Sequence, residues 1–165
     1  MNLDGGIHEI PLPEVPGRLW LCGKHAIGPD PKALLKQVGA EHVVCLVEPF
    51  ELSNRFPEYV HWLESAGSAT WFPIADLDFV SVDVIRELLG SITHRLHSGQ
   101  SIVVHCAAGR GRAGTLAVAI CLDLGMTLES ALSHVRRHRP GAGPEVGAQM
   151  NFVESWDMVV NPRHS

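Results

Sequence analysis

The stretch Ser101-Ile102-Val103-Val104-His105-Cys106-Ala107-Ala108-Gly109-Arg110-Gly111-Arg112-Ala113-Gly114 changes character twice. It opens as a short β-branched run, as a buried strand does, passes through small and flexible residues, and enters an apolar stretch over 113–124 that predicts a buried helix. A strand that turns directly into a helix gathers backbone amides and the positive end of the helix dipole around one point. Gly109, Gly111 and the two alanines carry no bulk to block a concave loop. Such a loop is a cradle for a dianion. Cys106 stands at its mouth, where the same positive field favours the thiolate, the nucleophilic form of the side chain. Arg112 offers a planar fork to two oxygens of a phosphoryl group. The expected catalytic pair is therefore Cys106 and Arg112, and the expected substrate-binding set is Ala107, Ala108, Gly109, Arg110, Gly111 and Arg112.

Outward from this loop the chain alternates between the two periodicities. Strands are predicted over 18–23, 42–47, 70–74 and 101–105. Helices are predicted over 31–38, over 51–66 with a break at Pro57, over 82–97, over 113–124, from Thr127 to the proline at 140, and over 145–159. Such alternation predicts an α/β fold: a central, largely parallel sheet of four or five strands flanked by helices. We expect one domain over 1–165, with residues 1–16, acidic and rich in proline, as a loose N-terminal extension.

A chain of 165 residues that is 45% hydrophobic is long and apolar enough to bury a core. A formal net charge of −5 argues against nucleic acid as a partner. No apolar run approaches the roughly 20 residues that cross a bilayer, so no membrane span is expected. The N-terminus lacks the basic and apolar runs of a secretory signal, and a cytoplasmic location is expected. The four cysteines show no paired or zinc-like spacing. Cys22, Cys45 and Cys121 sit in apolar strings, as core residues do, and Cys106 does not. His134 and His138 share a helical spacing but have no third ligand in sight, so no metal site is expected.

His105, Cys106, Gly109 and Arg112 together fit HCxxGxxR, and the chain resembles the protein tyrosine phosphatase superfamily over about 16–152. The strings RLWLCG at 18–23, HVVCLVEPFEL at 42–52, PIAD at 73–76 and AQMNFV at 148–153 resemble the kinase-associated phosphatases of the compact dual-specificity branch. This resemblance implies a cysteine phosphatase fold and a two-step reaction through a phosphocysteine intermediate. It implies no metal and no cofactor, and a phosphorylated protein or peptide as partner.

The leaving group needs a proton, and Asp76 and Asp78 are the carboxylates at hand. The position of Asp76 after PIA matches the family's acid loop, with Asp78 as the alternative. By resemblance His105 braces the loop and Gln149 matches a supporting glutamine. Two positions depart from the family. Ala113 stands where Ser or Thr usually assists thiolate departure, as in the phosphatases of regenerating liver, which implies slow breakdown of the intermediate. Glu145 replaces a residue that often positions water, and reads here as a charge near a helix start.

Arg110 occupies the place of a loop lysine in phosphoinositide phosphatases of the superfamily, so a phosphoinositide or small-molecule substrate is the alternative. A phosphate-binding module without turnover is a third reading, prompted by Ala113 and Glu145. The cluster Arg136, Arg137, His138, Arg139 reads either as a binding patch for an acidic substrate or as cations closing a helix. Tyr59, the only tyrosine, has a setting that suits core packing.

Overall fold

The structure, a computed structural model, describes residues 6–162. Its strands are β1 (His8–Ile10), β2 (Leu19–Gly23), β3 (His42–Cys45), β4 (Ala69–Trp71) and β5 (Ile102–Cys106). Its helices are α1 (Lys24–Ile27), α2 (Pro31–Val38), α3 (Phe50–Ser53), α4 (Pro57–Ser65), α5 (Val82–His97), α6 (Gly111–Asp123), α7 (Leu128–His138) and α8 (Gly147–Val160). The strands form one sheet in the order β1-β2-β5-β3-β4. The last four run parallel, and β1 joins β2 antiparallel.

β5 lies in the middle of the sheet because it is buried throughout. Val43, Val44, Val103 and Val104 are fully inaccessible, and a parallel strand covered on both faces needs such uninterrupted β-branched runs. Each such side chain contributes roughly 1.5–3 kcal/mol when removed from water. Helix α6 packs on β5 and is surrounded by α5, α7 and α8, so residues 111–122 of it are buried all round. α1 and α4 pack against β2 and β4. Local signals set the helix ends. Asp30 caps the Ala33 amide, Pro31 begins α2, and Gly39 ends it in the left-handed region at φ 69°. Thr127 caps α7 by accepting from the Ser130 amide.

The expected elements are present, with shifts of a few residues at their ends. Pro57 divides the predicted helix over 51–66 into α3 and α4. Residues 46 and 47 leave the strand ladder but stay buried, the Leu46 amide donating to the His105 carbonyl at 3.0 Å. One expectation is corrected. The N-terminal extension, expected to be loose over 1–16, contributes β1 within its described part. Ile10 is fully buried, and His8, Glu9 and Ile10 pair with Leu21, Trp20 and Leu19. A three-residue edge strand between glycines and prolines is too short to show a period.

Candidate active site

The register places Cys106 beside Gly23 at the carboxyl end of β5, where α/β sheets hold their ligands. From there the chain bends through residues 107–110 and enters α6 at Gly111. The carbonyls of this bend are taken from outside. That of Ala107 accepts from the Lys24 amide at 2.9 Å, and that of Arg110 accepts from the amides of Gly143 at 3.0 Å and Gly114 at 2.9 Å. Those of Ala108 and Gly109 accept from Arg139 at 3.0 and 2.7 Å. In a planar trans peptide the N–H points opposite to the C=O. The amides of residues 108–111 therefore face away from these partners, toward the hollow of the loop.

Gly109 is at φ 75°, and a Cβ there would lie 2.3 Å from the carbonyl carbon and oxygen of Cys22, so only glycine fits. Arg110 is the N-cap of α6 and caps nothing with its side chain. The amides of the first helical turn are thus open to an anion. One of them, on Ala113, donates to Cys106 Sγ at 3.4 Å. Cys106 is 2% exposed, at the bottom of the cradle.

Arg112 lies in the first turn of α6 with its side chain 1% exposed. Glu51 grips it with both oxygens: Nη1 donates to Oε2 and Nη2 to Oε1, each at 2.8 Å. Nη1 also donates to the Ile74 carbonyl at 2.8 Å. Burial raises the Glu51 carboxyl pKa, but hydrogen bonds from Arg112 and the Glu48 amide, with the charges of Arg112 and Lys24, outweigh it and leave the pKa below its ordinary value. Sequence reasoning missed Glu51. Its partner is 61 residues away, and only its place in the apolar string HVVCLVEPFEL marks it.

The two candidate acids differ in where they point. Asp76 Oδ1 is 3.4 Å from Arg112 Nη2, with its side chain 67% exposed, at the edge of the cradle. Asp78 instead accepts from the Phe79 amide at 2.8 Å, within its own loop. Between them Leu77 is held at φ 60°, a conformation that costs a side chain with a Cβ about 1–2 kcal/mol, and its amide donates to Asp76 Oδ1.

Behind the cradle, His105 is fully buried. Its Nδ1 donates to the Cys106 carbonyl at 3.1 Å, and its Nε2 meets the Tyr59 hydroxyl at 2.6 Å. A carbonyl can only accept, so Nδ1 carries a proton, and in the neutral form of the ring Nε2 accepts from Tyr59. Burial is the main cause that raises the Tyr59 pKa and keeps that hydroxyl protonated. Tyr59 packs in the core, and it also braces the loop through His105. Burial likewise pushes the thiols of Cys45 and Cys121 up to about 12, which leaves them as core groups.

Gln149 is 1% exposed and joins two loops, accepting from the Glu145 amide at 2.8 Å and donating to the Asp78 carbonyl at 3.4 Å. Glu145 precedes α8 and lies over the cradle: a Cβ on Gly111 would fall 2.2 Å from its Oε1. Thr115 turns away, donating to the Gly111 carbonyl at 2.6 Å. Arg110 is half-buried at the rim, with Nε donating to the Pro140 carbonyl at 3.2 Å.

The basic cluster at the end of α7 divides. Arg136 and Arg137 are exposed, whereas Arg139 is fully buried behind the cradle and belongs to no surface patch. Its role escaped the sequence because RRHR reads as cations closing a helix or as a patch for an acidic substrate; the one signal is that Arg139 directly precedes Pro140 at the helix end. Among the described residues, no group of three or more His, Cys, Asp or Glu side chains could hold a metal ion. No described helix is long and apolar enough to cross a membrane.

Residues 15–144 match the family described as "PTP-SAK: Swiss Army Knife protein, DSP-PTPase phosphatase domain". Dual specificity protein phosphatase 1 of Arabidopsis thaliana is 40% identical over 62 residues, 37% of this chain and 31% of that protein. Phosphatidylglycerophosphate phosphatase PTPMT1 of Arabidopsis thaliana is 30% identical over 112 residues, 64% of this chain and 31% of that protein. The chain thus spans about a third of the length of these relatives. Among solved structures, kinase associated phosphatase (KAP) with its catalytic site cysteine substituted by serine superposes with a TM-score of 0.78. It is 23% identical, over 93% of this chain and 94% of that one, and shares the fold. With the matching region covering β2 to α7 and the whole cradle, the chain belongs to the dual-specificity phosphatase domain family of the protein tyrosine phosphatase superfamily.

Proposed function

We propose that this chain is a cysteine-dependent protein phosphatase that hydrolyses phosphotyrosine, and phosphoserine and phosphothreonine more slowly, through a phosphocysteine intermediate. The observation that carries this reading is the convergence of Cys106 Sγ, the inward amides of residues 108–111 and the braced fork of Arg112 on one hollow. In the first step the Cys106 thiolate attacks phosphorus, the ester P–O bond breaks, and Asp76 gives its proton to the departing oxygen. In the second, water attacks phosphorus, Asp76 takes a proton from it, and the S–P bond breaks to return the thiolate and release phosphate. Arg112 Nη2, which faces Asp76 in the free protein, turns its donor to a phosphoryl oxygen as Asp76 swings to the leaving group. Ala113 offers the leaving thiolate only its backbone amide, so the second step limits turnover.

In this reading the preferred substrate is an aromatic ester. Phe50 is 71% exposed beside Glu51, and Leu77 is 58% exposed beside Asp76. Each is next in sequence to a carboxylate that holds Arg112, so both belong to the segments that supply the guanidinium's partners. An exposed aromatic on such a segment is suited to stack on a phenyl ring.

A second reading, a phosphoinositide or other lipid phosphatase, is favoured by Arg110 at the rim and by the name of the PTPMT1 relative. Initial rates on a phosphotyrosine peptide, a phosphothreonine peptide and phosphatidylinositol monophosphate vesicles, with EDTA present, separate the two. The protein reading expects the phosphotyrosine peptide to lead, with Arg110→Ala leaving that rate within a few-fold. Preference for the vesicles, lost in Arg110→Ala, would establish the lipid reading instead.

A further inference from the structure

Two of the carbonyl tethers that shape the cradle come from a single buried side chain. Arg139 enters from the end of α7 and is fully inaccessible. Its Nε holds the Gly109 carbonyl at 2.7 Å and its Nη2 the Ala108 carbonyl at 3.0 Å. The peptide planes so held carry the amides of Gly109 and Arg110, so the angle of this guanidinium sets the aim of two donors in the cradle. Gly109, at φ 75°, is the residue with the most freedom to turn those planes elsewhere.

The other edge of the same guanidinium faces the N-terminal strand. Nη1 donates to His8 Nδ1 at 2.7 Å and to the Gly6 carbonyl at 2.9 Å, and approaches the Leu21 carbonyl at 3.4 Å. A guanidinium has donors only, so His8 Nδ1 is bare and the ring neutral. Burial, then the charges of Arg139 and Arg110, lower the His8 pKa and keep it in that acceptor form. Strand β1 lies outside residues 15–144, the part shared with the family.

We propose that His8 is a positioning residue of the phosphate cradle: it anchors the Arg139 guanidinium that orients the Ala108 and Gly109 peptides, and so couples β1 to phosphate affinity. This rests on the reading that the cradle binds a phosphoryl group. Without His8 the guanidinium keeps its charge and its burial but loses an in-plane partner on the edge opposite the cradle. Nη1 keeps the Gly6 and Leu21 carbonyls but loses its side-chain acceptor, so the guanidinium is aimed less firmly and the two peptide planes shift with it.

The test is inorganic phosphate binding by titration calorimetry, in the full chain carrying Cys106→Ser so that no turnover is needed. His8→Ala is expected to weaken binding roughly tenfold, the loss typical of one hydrogen bond to a charged group. His8→Asn, whose amide oxygen replaces Nδ1 as acceptor, is expected to stay within about threefold of the parent. Glu9→Gln removes the ion pair with Arg18 from the same strand without touching Arg139, and is expected to change affinity less than about twofold. Melting temperatures report any general loosening of β1. Unchanged affinity in His8→Ala overturns the proposal while sparing the phosphatase reading. So does an equal loss in Glu9→Gln, or failure of His8→Asn to recover binding. No phosphate binding by the parent itself overturns both.

Discussion

Glu51→Gln changes one atom in the grip on Arg112 and separates its charge from its shape. In the native protein the pair has side-chain exposures of 1% for Arg112 and 9% for Glu51 and two bonds at 2.8 Å. Breaking a buried pair from one side costs about 3–5 kcal/mol, because a charge is left without its counterpart. Here the Ile74 carbonyl and Asp76 remain on Arg112, and glutamine keeps one accepting oxygen while turning an NH2 group toward the guanidinium. We therefore expect a loss of about 2–3 kcal/mol at neutral pH. At about 2–4 °C per kcal/mol for a chain of this size, the melting temperature falls by roughly 5–10 °C. Misdirection of the fork lowers kcat/KM on para-nitrophenyl phosphate by roughly 10- to 100-fold. The pH dependence has a fixed sign. The Glu51 pKa is depressed below 4.5, so its contribution to stability is whole above that pH and is lost as pH falls through the folded value. The gap between the native protein and Glu51→Gln is therefore flat at neutral pH and narrows in acid. Chemical denaturation at several pH values, with initial rates, decides this. A variant as stable and as active as the native protein at pH 7 would refute the bracing role.

Other consequences follow from the same geometry. Asp76→Asn slows esters with poor leaving groups far more than para-nitrophenyl phosphate, by roughly 100-fold or more, whereas Asp78→Asn has a small effect on either; the opposite ranking in a leaving-group series would exchange their roles. Gly109→Ala forces a Cβ to 2.3 Å from the Cys22 carbonyl, so phosphate binding in titration calorimetry falls by at least about tenfold, and an alanine variant that binds normally would contradict the cradle's conformation. His42 is 2% exposed, with its pKa lowered to about 4 by burial and then Arg95. Between pH 6.5 and 4 the unfolded chain takes up this proton and the folded chain does not, so stability falls as pH falls; His42→Gln removes that slope in melting curves. Asp123, raised to about 6 by burial, contributes with the opposite sign to both proteins and cancels in their difference.

The cradle was legible because its parts are contiguous. The valines of β5, the small residues of the bend and the apolar start of α6 follow one another in the chain, and each alone reports its local structure. The parallel sheet was legible for a similar reason: a strand buried on both faces needs an unbroken β-branched run, and residues 42–47 and 101–105 supply them. What the chain order conceals is what folding brings together across it. Glu51 reaches Arg112 across 61 positions and Arg139 reaches Gly109 across 30, while their local settings resemble an ordinary helix start and a solvated helix end. Strand β1 was hidden by its length, since Ile10 is the single fully buried residue among its three. Asp76 and Asp78 are both exposed loop carboxylates; resemblance favoured Asp76 in the sequence, and in the structure the ion pair to Arg112 sets it apart.

The claim that Cys106 forms a covalent phosphoenzyme is tested most directly by acid-quenching the protein during turnover of para-nitrophenyl phosphate, with EDTA present, and locating the phosphoryl group by peptide mass spectrometry. The account predicts a phosphorylated peptide containing Cys106, accumulating because Ala113 makes its hydrolysis slow, and no turnover in Cys106→Ser although phosphate still binds. Hydrolysis that persists in Cys106→Ser, or a phosphoryl group trapped on another residue, would contradict it.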